Sequence, residues 1–136
     1  MTIYIDENMS PYLAKGFQIL QAPENIKLNQ SINVESIIDK FGRGAKDEDW
    51  IPQAGQTAAC IITQDYNIHR IRHQNELCKQ YQLGIFYFKP PSKKGILYWD
   101  MLALMVKHWK EITSIVSLEK RPFAYEITPQ GGIKRL

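Results

Sequence analysis

The chain has 136 residues and a mass of 15.8 kDa, enough for one hydrophobic core and not for a second autonomous one. Apolar residues at 44% and charged residues at 23% exclude an extensively disordered chain, and the longest unbroken apolar run, six residues from Met101 to Val106, is too short to span a bilayer. A net charge of +3 permits a nucleic-acid partner without requiring one.

In chain order, Thr2-Ile3-Tyr4-Ile5 is β-branched and aromatic and breaks at Asp6-Glu7-Asn8, which predicts a strand entering a polar turn. Ser10-Pro11 supplies a helix cap and a proline for the first helical position. Tyr12, Leu13, Phe17 and Leu20 recur at helical spacing, and Pro23 is expected to stop the helix. A second strand is expected near 33–38, then the loop Phe41-Gly42-Arg43-Gly44 and a helix beginning among Asp47-Glu48-Asp49. Pro52 is tolerable there because it lies within about one turn of the helix start.

Cys60-Ile61-Ile62-Thr63-Gln64 is the clearest strand and again ends on an acid, Asp65. Asn67 is expected to cap a helix reaching about Tyr81, with Ile68, Ile71 and Cys78 turned inward. Ile85-Phe86-Tyr87-Phe88 reads as a buried strand ended by Lys89-Pro90-Pro91. A long helix follows over 96–116, with Leu97, Met101, Leu104, Met105 and His108 on one side, and the tail from Phe123 onward predicts a terminal hairpin. Strands alternating with helices predict one domain over 1–136, α/β in class, with three α/β/α layers, a mainly parallel central sheet and a C-terminal β-hairpin.

The N-terminal MTIYIDEN carries acids where a secretory leader would carry basic residues. Cys60 and Cys78 are too few for a disulfide framework and lack metal-site spacing. Reduced core thiols in a cytoplasmic protein are therefore expected.

In an open parallel sheet, ligands bind beyond the carboxyl ends of the strands. Asp6 and Asp65 each follow an apolar strand, and Asp47, Glu48 and Asp49 open a helix whose start is expected at the same edge. Three regions would thus bring carboxylates to one rim, where they repel unless a cation neutralises them. With no Cys or His in the set, all-oxygen ligation suits Mg²⁺ or Mn²⁺, which can activate water and steady a phosphoryl oxygen. Each acid taken singly also has a plainer role: a turn former or cap at 6 and 65, or a helix-dipole partner at 47–49 contributing about 0.3–1 kcal/mol.

Asp6-Glu7-Asn8 after the first strand, Gly44-Ala45-Lys46-Asp47-Glu48-Asp49-Trp50, and Ile61-Ile62-Thr63-Gln64-Asp65 together resemble the PIN-like domains, in particular the compact VapC-like toxins. The resemblance runs from residue 2 to about 116. It implies a Mg²⁺- or Mn²⁺-dependent endoribonuclease that cleaves RNA phosphodiester bonds, often the toxin of a toxin–antitoxin pair. By position, Asp6 and Asp65 match the family's metal-binding aspartates, and Asp47 matches the acid of the intervening helix, with Glu48 and Asp49 as rivals. Many relatives carry a further acid where this chain has Asn67, which can ligate through its carbonyl oxygen but brings no charge. That departure predicts weaker metal affinity or a single ion.

Of the basic residues, His69, Arg70, Arg72 and His73 begin the helix after Asp65, and residues 69, 72, 73 and 76 share a face. Arg70 or Arg72 is expected to position a phosphate, with Lys93 and Lys94 (beside Lys89) as a second basic lip. The plainer reading is a solvated helix face and a charged loop. His69 and His73 stand at the i, i+4 spacing of a transition-metal pair, without an acidic or cysteine partner in the motif. Tyr66 and Trp99 can stack on bases if exposed, whereas Tyr87 reads as core. An exposed apolar side on the long helix would mark an antitoxin or homodimer surface.

Two other readings stand beside the nuclease: a catalytically weak or inactive PIN-like module that binds RNA or protein, and a DNA-directed or other phosphohydrolase. A phospho-receiver domain shares the paired acids and Lys89-Pro90 but needs a further strand–helix pair between Asp65 and Lys89, for which the chain has no room.

Overall fold

The computed structural model describes residues 1–65 and 67–136. Six strands form one sheet in the order β2-β1-β3-β4-β5-β6. Strands β1 (Thr2–Ile5), β2 (Asn33–Ser36), β3 (Ala59–Gln64), β4 (Gly84–Phe88) and β5 (Phe123–Thr128) are parallel, and β6 (Gly132–Arg135) closes an antiparallel hairpin with β5. Five helices join them: α1 (Pro11–Leu28), α2 (Ile37–Phe41), α3 (Asp47–Ala54), α4 (Ile68–Tyr81) and α5 (Tyr98–Leu118). The mainly parallel α/β/α sandwich with its terminal hairpin is the architecture the alternating pattern predicts.

Both sheet faces are dry, and the strands show it residue by residue. Cys60 and Ile62 of β3, with Phe86 and Phe88 of β4, pack with Leu13 and Phe17 of α1 and Met101 and Met105 of α5. Ile61, Ile85 and Tyr87 point the other way, onto Trp50 and Ile51 of α3 and Cys78 of α4. The period-2 alternation therefore separates two cores rather than a core from solvent.

Several local expectations need correction. Pro23 does not end α1, which continues to Leu28 and closes on Asn29 in the left-handed conformation. Pro23 lies on the exposed side, where the carbonyl it leaves unpaired can meet water. The turn beyond it is pinned from outside, since the Asn25 amide donates to the Ile32 carbonyl (2.8 Å) and accepts from the Ile32 N–H and from Gln21. The second strand stops at Ser36, whose hydroxyl caps α2 through the Ile38 N–H, so residues 37 and 38 are helical. Pro52 lies past the first turn of α3, opposite the carbonyl of exposed Glu48. Ile68 and Leu97 are exposed, Ile68 directly after the α4 cap Asn67 and Leu97 as the cap of α5.

The β4–α5–β5 crossover has the opposite hand from β3–α4–β4: it steps the same way along the sheet but passes over the other face. To reach that face, the chain after β4 climbs across the carboxyl edge. That path carries residues 89–97 over the rim where Asp6 and Asp65 stand. No helix among the described residues is long and apolar enough to cross a membrane.

Candidate functional site

Strand order reverses direction between β1 and β3, which makes their carboxyl ends the topological switch point of the sheet. Ile5 pairs with Ile62, and the Asp6 N–H continues the ladder to the Ile62 carbonyl at 2.9 Å. Asp6 thus comes abreast of Thr63, and Asp65 stands two residues further along the adjacent strand's exit.

Asp6 is almost completely buried and almost completely satisfied. Its Oδ1 accepts the Glu7 N–H (2.8 Å), while Oδ2 accepts the Thr63 hydroxyl (2.6 Å) and the Gln74 amide (3.3 Å). These neutral donors fix the carboxylate without cancelling its charge. Among the described residues, the cation near it is Arg70, whose Nη2 lies 3.9 Å from Asp6 Oδ2 and whose Nη1 lies 3.3 Å from Asp65 Oδ2. One guanidinium spans the two strand-end aspartates.

The acids of α3 separate into three situations. Asp47 is half-buried and accepts the Trp50 indole N–H (3.0 Å). Burial, and then the charge of Asp6, raise its pKa above the usual carboxylate value. Glu48 is exposed and pairs with His73 of α4; its pKa is lowered by its own backbone N–H at the helix start and then by that histidine. Asp49 is exposed, and no side-chain contact draws it to the rim. Asp47 thus feels the charge of Asp6. The coupling has a structural origin: Glu7 Oε2 accepts the Gly44 N–H at 2.6 Å and ties the entry of α3 to the turn after β1.

Asn67 caps α4, as its place before the helix predicts. Its Oδ1 accepts the N–H groups of His69 (2.9 Å) and Arg70 (3.3 Å), and its own N–H donates to Asp65 Oδ1 (2.8 Å). The oxygen expected to ligate a metal is thus engaged as the cap of α4. Among the described residues, no three His, Cys, Asp or Glu side chains stand ready around a common ion, and that includes His69 and His73.

Beside Asp65 opens a cleft of about 250 Å³ lined by Asn8, Asp65, Arg70, Lys93 and Lys94 among others. The Gln64 side chain holds it together, donating to the Asn8 carbonyl (3.1 Å) and accepting the Ile96 N–H (2.9 Å). Gly95 has φ +79°, and a Cβ there would stand 3.3 Å from Gln64 Oε1, so glycine lets the loop lie close. Arg70, Lys93 and Lys94 therefore meet at one opening. Arg72 does not join them; it is exposed on a different face of α4. Trp99 is 73% exposed and makes an edge contact with Tyr98, Tyr87 is core as expected, and Tyr66 lies outside the described residues.

Thr63, Gln74 and Glu7 are the site residues that sequence reasoning passed over. Thr63 was visible only as a strand residue, and the signal for Gln74 was its place one helical turn beyond Arg70, on the side of α4 that faces the sheet.

The donor set is entirely oxygen, and the carboxylates of Asp6 and Asp65 already face one cation, the Arg70 guanidinium. The buried Oδ1 of Asn8, on the cleft wall, has no hydrogen-bond donor among the described residues. Both observations fit an ion of the Mg²⁺ or Mn²⁺ type.

An open parallel α/β sheet with an acidic switch point and a basic cleft beside it defines the class of site. Residues 1–90, more than half the chain and all of it through β4, match the family model described as PIN like domain. The chain belongs to the PIN-like domain family, a family of nuclease type. Helix α5 and the terminal hairpin lie beyond the matched residues, so the match stops short of residue 116. Comparison with curated proteins and with solved structures gives no match.

Proposed function

We propose that the protein is a metal-dependent endoribonuclease, with Asp6, Asp47 and Asp65 holding Mg²⁺ or Mn²⁺ at the carboxyl edge of the sheet. The observation that carries this reading is the meeting of Asp6 and Asp65, from separate strands, on one cation at the switch point. When bound, the ion supplies an activated water and charge neutralisation at phosphorus. The chain's own residues do the rest. Thr63, Gln74 and the Glu7 N–H keep Asp6 oriented, Asp47 and Asp65 add negative charge, and Arg70, Lys93 and Lys94 bind the phosphates entering the cleft. Glu48, paired with His73, acts by fixing α3 against α4, and Asp49 and Asn67 are not needed as ligands.

A role as the toxin of a toxin–antitoxin pair, of the VapC-like kind and acting in the cytoplasm, goes with this reading. Exposed Leu20, Leu28, Val106 and Leu118 around the groove between α1 and α5 support a protein partner, either an antitoxin or a second copy.

The test is RNA cleavage by purified Asp6→Asn and Asp65→Asn. Cleavage should vanish in both while circular dichroism stays that of the parent, and undiminished cleavage by both would overturn the assignment. One observation favours a second reading, an RNA-binding module without turnover: Arg70 already neutralises the two aspartates. That module would bind RNA equally with and without EDTA and release no product at any Mn²⁺ concentration.

A further inference from the structure

Two kinds of group neutralise or orient Asp6, and they differ in how firmly they are held. The Thr63 hydroxyl and the Glu7 N–H sit at 2.6 and 2.8 Å, within the range of strong hydrogen bonds to a carboxylate. Thr63 and Gln74 are both buried, so these donors cannot leave without opening the core. Arg70 is different. Its two ion-pair distances, 3.3 and 3.9 Å, exceed those of a close bidentate pair, and its side chain is 45% exposed. Its backbone is tied down through the Asn67 cap. Its guanidinium also lines the cleft shared with Lys93 and Lys94, so a short swing about its own side-chain torsions takes it from the carboxylates to the phosphate-binding side.

We propose that Arg70 is a resident counter-cation which a divalent ion must displace from Asp6 and Asp65, and whose displaced guanidinium then binds a substrate phosphate in the adjacent cleft. The inference rests on the metal-dependent reading above. A carboxylate pair cannot be left bare at low dielectric, so before metal arrives Arg70 holds the site assembled. After metal arrives, the guanidinium faces a second cation and is driven outward, where phosphate stabilises it. Metal and nucleic acid consequently favour the same arginine-out state, and each tightens the other's binding.

The experiment measures Mn²⁺ affinity by calorimetry for the whole chain, for Arg70→Gln and for Arg70→Lys, with and without a 2′-O-methyl oligonucleotide that cannot be cleaved. If the arginine-out state is about a tenth of the metal-free population, Arg70→Gln should bind Mn²⁺ about tenfold tighter. Arg70→Lys should fall between the two, because it keeps a charge but loses the forked reach. The oligonucleotide should tighten Mn²⁺ binding to the parent and leave Arg70→Gln unchanged. In EDTA, Arg70→Gln should melt below the parent, and it should gain more in Tm from Mn²⁺. Equal Mn²⁺ affinity in parent and Arg70→Gln would overturn the displacement while leaving the metal site standing. Coupling to the oligonucleotide that persists in Arg70→Gln would overturn the phosphate role. Absence of Mn²⁺ binding in every variant would overturn the inference together with the metal-dependent reading beneath it.

Discussion

The Glu7 carboxylate accepts the backbone N–H of Gly44 at 2.6 Å, joining the turn after β1 to the residues that lead into α3. Asp6 and Asp47 belong to different connections of the sheet, and this bond adds to the packing of Trp50 and Ile51 that seats α3 beside β1. Glu7→Ala should therefore disturb function more than stability. The bond is exposed, so its loss is expected to cost about 1 kcal/mol by thermal or urea unfolding, whereas RNA cleavage should fall on the order of tenfold to a hundredfold. Cleavage that merely tracks the small loss of stability would refute the link.

Gln74 is buried against Asp6 and donates to it. Gln74→Leu keeps the bulk and removes the donor, and is expected to cost about 1–3 kcal/mol of stability, the scale of a buried polar group left short of a partner. Gln74→Glu should be worse, because it buries a second carboxylate beside the first. Urea midpoints ranked parent, Leu, Glu would bear this out; a Glu variant as stable as the parent would contradict it.

Burial pushes the Cys60 thiol up to about 11 and moves the Cys78 thiol higher still. Thiolate is the reactive form, so neither cysteine should react quickly with a disulfide reagent at pH 8 in the folded protein. Both should react at once in guanidinium. Rapid labelling of the native chain would show that one of them is not in the core.

His108 is buried on α5, and its Nε2 has no hydrogen-bond partner among the described residues. Burial, and then Lys107, lower its pKa below the usual 6.5, with Glu111 pulling the other way. The unfolded chain therefore takes up this proton at higher pH than the folded one. The histidine's contribution is fully present above about pH 6.5 and declines as the pH falls toward the lowered folded value. In a comparison of Tm at pH 7.5 and 5.5, His108→Leu should lose less on acidification than the parent. An equal or larger loss would place the acid sensitivity elsewhere.

The pattern of the chain foretold the parallel sandwich because its signals were local. Ser10-Pro11 and Asn67 are caps whatever surrounds them, and the apolar strands β1 and β3 each meet an acid in the sequence itself. The structure departs from the local pattern where a distant partner outweighs local preference: Asn25 grips the chain at Ile32, and α1 runs on past Pro23.

What the amino-acid order alone determined is therefore the list of carboxylates and their station at strand ends, since strand polarity and alternation decide which residues leave the sheet at its carboxyl edge. Only the tertiary structure decided that β1 and β3 are neighbours, that Arg70 lies between their aspartates, and that Asp47 feels the charge of Asp6. Electrostatic coupling depends on separation in space and on burial, and neither is written in the spacing of residues 6, 47, 65 and 70 along the chain.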